Sequence, residues 1–316
     1  MAGPAMGDYR AITDDIRGPL VPILPAFAED EGLDIDSTCN WVDWLIGEGI
    51  RLFWTTQGTT HFMCLADGEV RDLTRALAQV TRGRALLIAS SRFNWSTRET
   101  IEFVHFAADC GADIVKLQVD WAFRPREDVV FEHYRAVAEA SPIPLFAYTA
   151  AVPGVTGGMS TDLLKRILDL PQFVGMKNDS GDFYEHTSYL RAIREHGARF
   201  TPLTGGSMES FLHGHPFGAR AFAVAVGIAA PQIPIAFYRR LQEGDYQAAA
   251  EMVRQHEQPV VSAFTSLGPA LHLSCWRAAV WLKGRFASYR TRFPMRALTA
   301  EEVEWARRCL TEAGLL

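Results

Sequence analysis

The chain is poor in lysine. Of its 31 basic residues only four, Lys116, Lys165, Lys177 and Lys283, are lysines. Its five cysteines, Cys39, Cys64, Cys110, Cys275 and Cys309, are far apart and odd in number, with no CxxC. That excludes a disulfide framework and leads us to expect reduced thiols in a cytoplasmic protein. The nine histidines include one close pair, His213 and His215, and no HExxH, so no metal site is expected. No GxGxxG follows a strand-like run, which leaves a nucleotide cofactor unsupported; no cofactor is expected. No stretch approaches the ~18 apolar residues that span a bilayer. Basic residues are not clustered, and the net charge is −6 with a pI near 5.9, which argues against nucleic acid or an anionic membrane as partner. The segment before Gly18 has no apolar core and carries Asp8, Asp14 and Asp15, so it does not read as a signal peptide.

What is present is a long alternation. Short apolar runs near 20–27, 50–56, 84–90, 113–119, 143–148, 172–177, 199–204 and 219–226 read as strands. Amphipathic stretches near 36–48, 68–81, 97–110, 127–140, 160–169, 183–196, 207–214 and 231–243 read as helices. Eight strand–helix units predict an α/β fold, a (β/α)8 barrel. Asp36 and Ser37, Ser96 with Glu99, and Ser160 and Thr161 offer helix N-caps. Past Gly244 the alternation stops and three helical stretches follow, near 245–265, 269–284 and 299–313. The expected organisation is a flexible N-terminal segment (1–17), a barrel (18–243) and a C-terminal helical domain (244–316).

Lys177 closes the apolar run Phe173-Val174-Gly175-Met176 and is followed by Asn178-Asp179-Ser180-Gly181. Desolvation at a buried strand end favours the neutral amine, the form that attacks a carbonyl to make a Schiff base. The plain alternative is a partly buried lysine paired with an acid such as Asp179, and position alone leaves the two readings even. Lys165 reads as a solvated helix residue, and Lys283 sits near a helix end. Lys116 lies inside another strand, about 13 Å back from its end at ~3.3 Å per residue, in or below the core layers.

Barrel chemistry sits at the carboxyl ends of the strands. There Tyr148 ends the strand beside that of Lys177, where a phenol can shuttle protons; its alternative is a loop anchor. Gly58, Thr59, Thr60 and His61 follow strand two and offer N–H groups and hydroxyls to a carboxylate, or form a plain turn. Asp120 and Trp121 follow strand four. Gly205 and Gly206 lead into a helix N-terminus, where an anion or a tight turn would fit.

In this order the features resemble the dihydrodipicolinate synthase / N-acetylneuraminate lyase family. Gly175-Met176-Lys177-Asn178-Asp179-Ser180-Gly181-Asp182 resembles its Schiff-base segment, Pro142 to Tyr148 its relay-tyrosine strand, and Pro22 to Phe27 with Gly32-Leu33-Asp34 its opening. Thr204-Gly205-Gly206 and Arg292-Phe293-Pro294 match as well. The resemblance implies a class I aldolase-type lyase, usually a homotetramer, that binds pyruvate or another 2-keto acid as an imine on Lys177, with Tyr148 as relay and Thr59 at the carboxylate. The partners implied are small molecules, a 2-keto acid with an aldehyde or sugar acid.

The departures narrow this. In an ungapped alignment Gly58 stands where the family has the first threonine of its carboxylate loop, and His61 where it has glutamate; a one-residue slip restores the Gly-Thr-Thr order and puts His61 at the second glycine. Asp120-Trp121-Ala122 replaces Pro-Tyr-Tyr, and Val152-Pro153-Gly154 holds no arginine. These argue against dihydrodipicolinate synthase proper. The leading expectation is aldol cleavage or condensation of a pyruvate-type keto acid. The alternatives are a sugar-acid-derived keto-acid dehydratase, then dihydrodipicolinate synthase, then a non-catalytic keto-acid binder.

Overall fold

The computed structural model describes residues 9–55, 64–91, 96–118, 126–149 and 158–316. The barrel strands are β1 (Gly18–Pro22), β4 (Leu52–Trp54), β5 (Leu86–Ala89), β6 (Ile114–Leu117), β7 (Leu145–Thr149), β8 (Phe173–Asn178), β9 (Thr201–Thr204) and β10 (Ala221–Ala223). A small antiparallel pair, β2 (Ala26–Phe27) and β3 (Leu33–Asp34), follows the first strand. The eight barrel strands close in the order β1-β10-β9-β8-β7-β6-β5-β4, all parallel. The helices between them are α1 (Ile35–Gly47), α2 (Asp67–Thr81), α3 (Thr97–Cys110), α4 (Glu127–Ala140), α5 (Thr161–Leu168), α6 (Phe183–His196), α7 (Met208–Gly214) and α8 (Gln232–Gln242). This is the (β/α)8 barrel that the alternation predicts.

Two cores follow from the strand period of two. Side chains pointing out meet the apolar stripes of the helices. Those pointing in, among them Leu20, Leu52, Trp54, Ile88, Ile114, Phe146, Val174 and Leu203, fill the barrel. The interior is tight at one point: a Cβ on Gly175 would lie 2.1 Å from the Phe146 ring and 2.7 Å from the Thr201 carbonyl. Glycine there lets Phe146 cross the barrel and meet Trp54 edge-on at 5.9 Å.

Local signals explain most helix starts. Ser96 and Glu99 form the reciprocal capping box, and Ser160 accepts from Leu163 N–H at 3.1 Å. The cap of α1 is Asp34, which accepts from Ser37 N–H at 2.9 Å, in place of the expected Asp36 or Ser37.

The segment before the barrel, expected to be flexible, is held where it is described. Residues Tyr9–Asp14 form a 3-10 helix. Tyr9 donates to the Ser141 carbonyl at 3.1 Å and Arg10 to that of Leu168 at 2.7 Å. Ile16, fully buried, joins the interior core from the amino-terminal end of the strands. The sequence signal for this is weak, because a few apolar residues among charged ones make too short a run to show a period.

Beyond α8 come α9 (Tyr246–Met252), a π-turn at Val253–Glu257, α10 (Gln258–Ser266), α11 (Pro269–Leu282) and α12 (Ala300–Glu312). They are tied back to the barrel by polar contacts. Arg292 makes a forked pair with Glu69, both bonds 2.7 Å, and donates to the Cys64 carbonyl at 3.1 Å. Glu257 accepts from the Met208 and Glu209 N–H groups at 2.8 and 2.9 Å, so the π-turn caps α7.

Burial pushes the Glu257 carboxyl up from its ordinary 4.5 to about 7. The folded chain therefore holds that proton more tightly than the unfolded one, and the stabilisation fades as pH rises through about 7. Glu257→Gln, which cannot ionise, should gain on the parent by up to about 3 kcal/mol between acid and mildly alkaline pH. Urea unfolding across that range checks this; a difference independent of pH would contradict it.

Candidate active site

The carboxyl ends of the strands surround a cavity of about 300 Å³, lined among the described residues by Trp54, Lys177, Asp179, Gly205 and Val224 among others. β7 and β8 put two predicted residues side by side: Tyr148 and Lys177 are register partners. Both point inward, since Lys177 is two residues from Gly175 and Tyr148 two from Phe146. Lys177 is 7% exposed. Its ammonium nitrogen lies 5.1 Å from the Tyr148 ring centroid and 5.5 Å from that of Trp54, a distance at which aromatic faces attract a cation.

The ammonium is also paired. Asp179 accepts from Lys177 Nζ through both carboxylate oxygens, and its charge also acts on the Tyr148 phenol. The ion-pair reading describes the resting contact: the lysine is buried beside a phenol and bonded to Asp179. Burial, with the Asp179 carboxylate second, drives the phenol well above the ordinary tyrosine range. Tyr148 is therefore a proton donor at rest, not a resident phenolate.

The segment after Lys177 is locked by neighbouring elements. Asn178, 3% exposed, donates to His186 Nδ1 at 2.8 Å, and His186 Nε2 meets Thr204 Oγ1 at 3.3 Å. Burial lowers the His186 pKa, which keeps the ring neutral and able to accept. Asp179 N–H donates to the Thr149 carbonyl at 2.9 Å, and Gly205 N–H to the Asn178 carbonyl at 2.7 Å. Asp182 caps α6 through the Tyr184 and Glu185 N–H groups at 2.7 and 3.1 Å. Gly205 lines the cavity, and a Cβ there would fall 1.4 Å from Asp179 Oδ1. The carboxylate occupies the space that any other residue would fill.

Lys116, one layer below on β6 opposite Phe146, reaches the same place. Its long stem lifts Nζ to 5.0 Å from the Tyr148 ring and 5.5 Å from Trp54. Sequence position gave the depth of its Cα but not the reach of its side chain. The other predicted site residues, Gly58, Thr59, Thr60, His61, Asp120 and Trp121, lie outside the described residues.

The dihydrodipicolinate synthetase family model matches residues 15–313. The chain belongs to that family. A 4-hydroxy-tetrahydrodipicolinate synthase of Anaplasma marginale (strain St. Maries) is 30% identical over 225 residues, 71% of this chain and 72% of the relative. A probable 5-dehydro-4-deoxyglucarate dehydratase 2 of Streptomyces avermitilis is 26% identical, covering 85% of this chain and 79% of its own. In fold the chain is similar to YagE, a prophage protein from E. coli K12 solved in complex with pyruvate, with a TM-score of 0.84, 21% identity, and 95% and 99% of the two chains covered. Family membership makes the protein a lyase, of the Schiff-base class I aldolase kind. Among the described residues no helix is long and apolar enough to cross a membrane.

The space argument at Gly205 is testable. Gly205→Ala should push the Asp179 carboxylate off Lys177 and lower stability by about 1–3 kcal/mol. Gly181→Ala, whose Cβ would meet nothing within 4 Å, serves as the stability control. Equal urea midpoints for the two variants would contradict the crowding.

Proposed function

We propose that the protein binds a 2-keto acid of the pyruvate type as an imine on Lys177 and makes or breaks the adjacent carbon–carbon bond. The observation that carries this is the register pairing of a buried, cavity-lining lysine with a tyrosine on the neighbouring strand, in a chain whose family works by such chemistry. The neutral amine of Lys177 attacks C2. Tyr148 gives its proton to the carbinolamine oxygen, which leaves as water. The protonated imine draws electrons from the C3–C4 bond as it breaks, and the substrate's C4 hydroxyl returns a proton to the phenolate. An aldehyde and an enamine result; protonation at C3 and hydrolysis release the keto acid. Asp179 holds the amine and stabilises the positive imine. We assign the substrate carboxylate to the segment Gly58, Thr59, Thr60 and His61, with Gly205 at the cavity wall and Asp120 and Trp121 toward the far end of the substrate. The family also supports a homotetramer, and we divide the chain into a barrel up to residue 243 and a helical domain after it.

A second reading, dehydration of a sugar-acid-derived keto acid, is favoured by the relative in Streptomyces avermitilis named as a dehydratase. It uses the same imine but expels a hydroxyl in place of an aldehyde. Product analysis separates the two: an aldehyde marks cleavage, and an uncleaved keto product marks dehydration.

Borohydride reduction with pyruvate should leave a covalent adduct on Lys177, lost in Lys177→Ala. Tyr148→Phe should still form the adduct but lose about 10²–10⁴-fold in turnover. An unmodified Lys177 under saturating pyruvate would contradict the proposal.

A further inference from the structure

Lys116 is a second amine inside the barrel, and the reaction above gives it no task. It is 4% exposed. Its only described polar contact is neutral: Nζ donates to Gln118 Oε1 at 2.9 Å. Lys177, by contrast, has the Asp179 carboxylate. Both nitrogens lie over the same two rings, Trp54 and Tyr148, at 5.0 to 5.5 Å. Two lysines out of four in the chain thus converge on one pair of aromatic faces, and only one has a described anion as partner.

We infer that Lys116 is the resting acceptor for the proton that Lys177 must lose before it attacks a carbonyl. In the free protein the carboxylate-paired Lys177 carries the charge and Lys116 holds a lone pair. Breaking one N–H bond on Lys177 and forming one on Lys116, directly or through a bridging water, leaves the total charge unchanged. Lys177 is then neutral beside Asp179, and Lys116 becomes the ammonium beneath the rings.

The charged and titratable groups facing Lys116 among the described residues are few. Lys177 and Asp179 come from β8 and its continuation, and Tyr148 from β7; Trp54 on β4 is uncharged. Burial first, and the Lys177 charge second, bring the Lys116 amine down to about 7, with Asp179 opposing. An amine in that range accepts a proton near neutrality and returns it later in the cycle.

Lys116 is a positioning residue for the proton, since it acts through Lys177. The inference rests on the imine reading. Its test is the rate of cyanoborohydride-trapped pyruvate adduct on Lys177, followed by intact mass and peptide mapping across about pH 6 to 9. In the unmutated protein the rate should be half-maximal near pH 7, where Lys116 gives up its proton. Lys116→Met should slow trapping at least tenfold near pH 7 and move the half-point upward, with Lys177 still the residue modified. Lys116→Arg keeps the positive charge but cannot take a proton, and should be as slow. Recovery of the parent rate by Lys116→Arg, or an unchanged rate and pH profile in Lys116→Met, would overturn the role of Lys116 while leaving the imine intact. A parent profile that rises to the alkaline limit without an inflection near neutrality would overturn it without recourse to any variant. No adduct on Lys177 at any pH would remove the imine reading and this inference together.

Discussion

The site is organised by one ion pair. An ammonium inside a barrel is costly unless a counter-charge and hydrogen bonds replace its water. Asp179 supplies both, two residues along the same segment, and its charge also acts on the Tyr148 phenol. Much of the local sequence follows from making room for that carboxylate. Gly205 on the neighbouring loop must lack a side chain. Asn178 must be clamped by His186 so that the turn presents Asp179 inward. Asp182 must start α6 at once.

The same pair shapes the chemistry. Asp179 favours a cation at Lys177 Nζ, which suits a protonated imine and opposes the free neutral amine. A device that removes the proton at the start of the cycle and tolerates the cation afterwards fits this geometry. The second lysine, lifted from one layer below, has the burial and the neutral partner for it. Tyr148, kept protonated by burial and by Asp179, suits the donor's part in water loss.

The barrel was legible from sequence because apolar runs and amphipathic stretches alternate without a break to Gln242, and the end of that rhythm marked the change to helices alone. Lys177 and Tyr148 were legible for a related reason: each ends its apolar run, and neighbouring parallel strands put such ends side by side. What did not show was set by contacts distant in sequence. Nothing local says that Gly205 leaves space for Asp179. The reach of Lys116 depends on a flexible stem, which a count of residues along the strand cannot report. The cap of α1 fell on Asp34 because the β2–β3 turn delivers that residue first. Ile16 belongs to the interior core although its neighbours in sequence, Asp15 and Arg17, are charged. The segment Gly58 to His61, proposed to take the substrate carboxylate, departs in sequence from the family pattern, so its motif alone does not name the substrate.

The central claim is that a buried amine on β8, beside a phenol and a carboxylate, takes a keto acid covalently. A crystal soaked in pyruvate tests it most directly. The account predicts continuous density from Lys177 Nζ to C2 of the ligand, with the Tyr148 hydroxyl at the former carbonyl side and Asp179 still against the nitrogen. Pyruvate bound without a covalent link, or linked to Lys116, would contradict it.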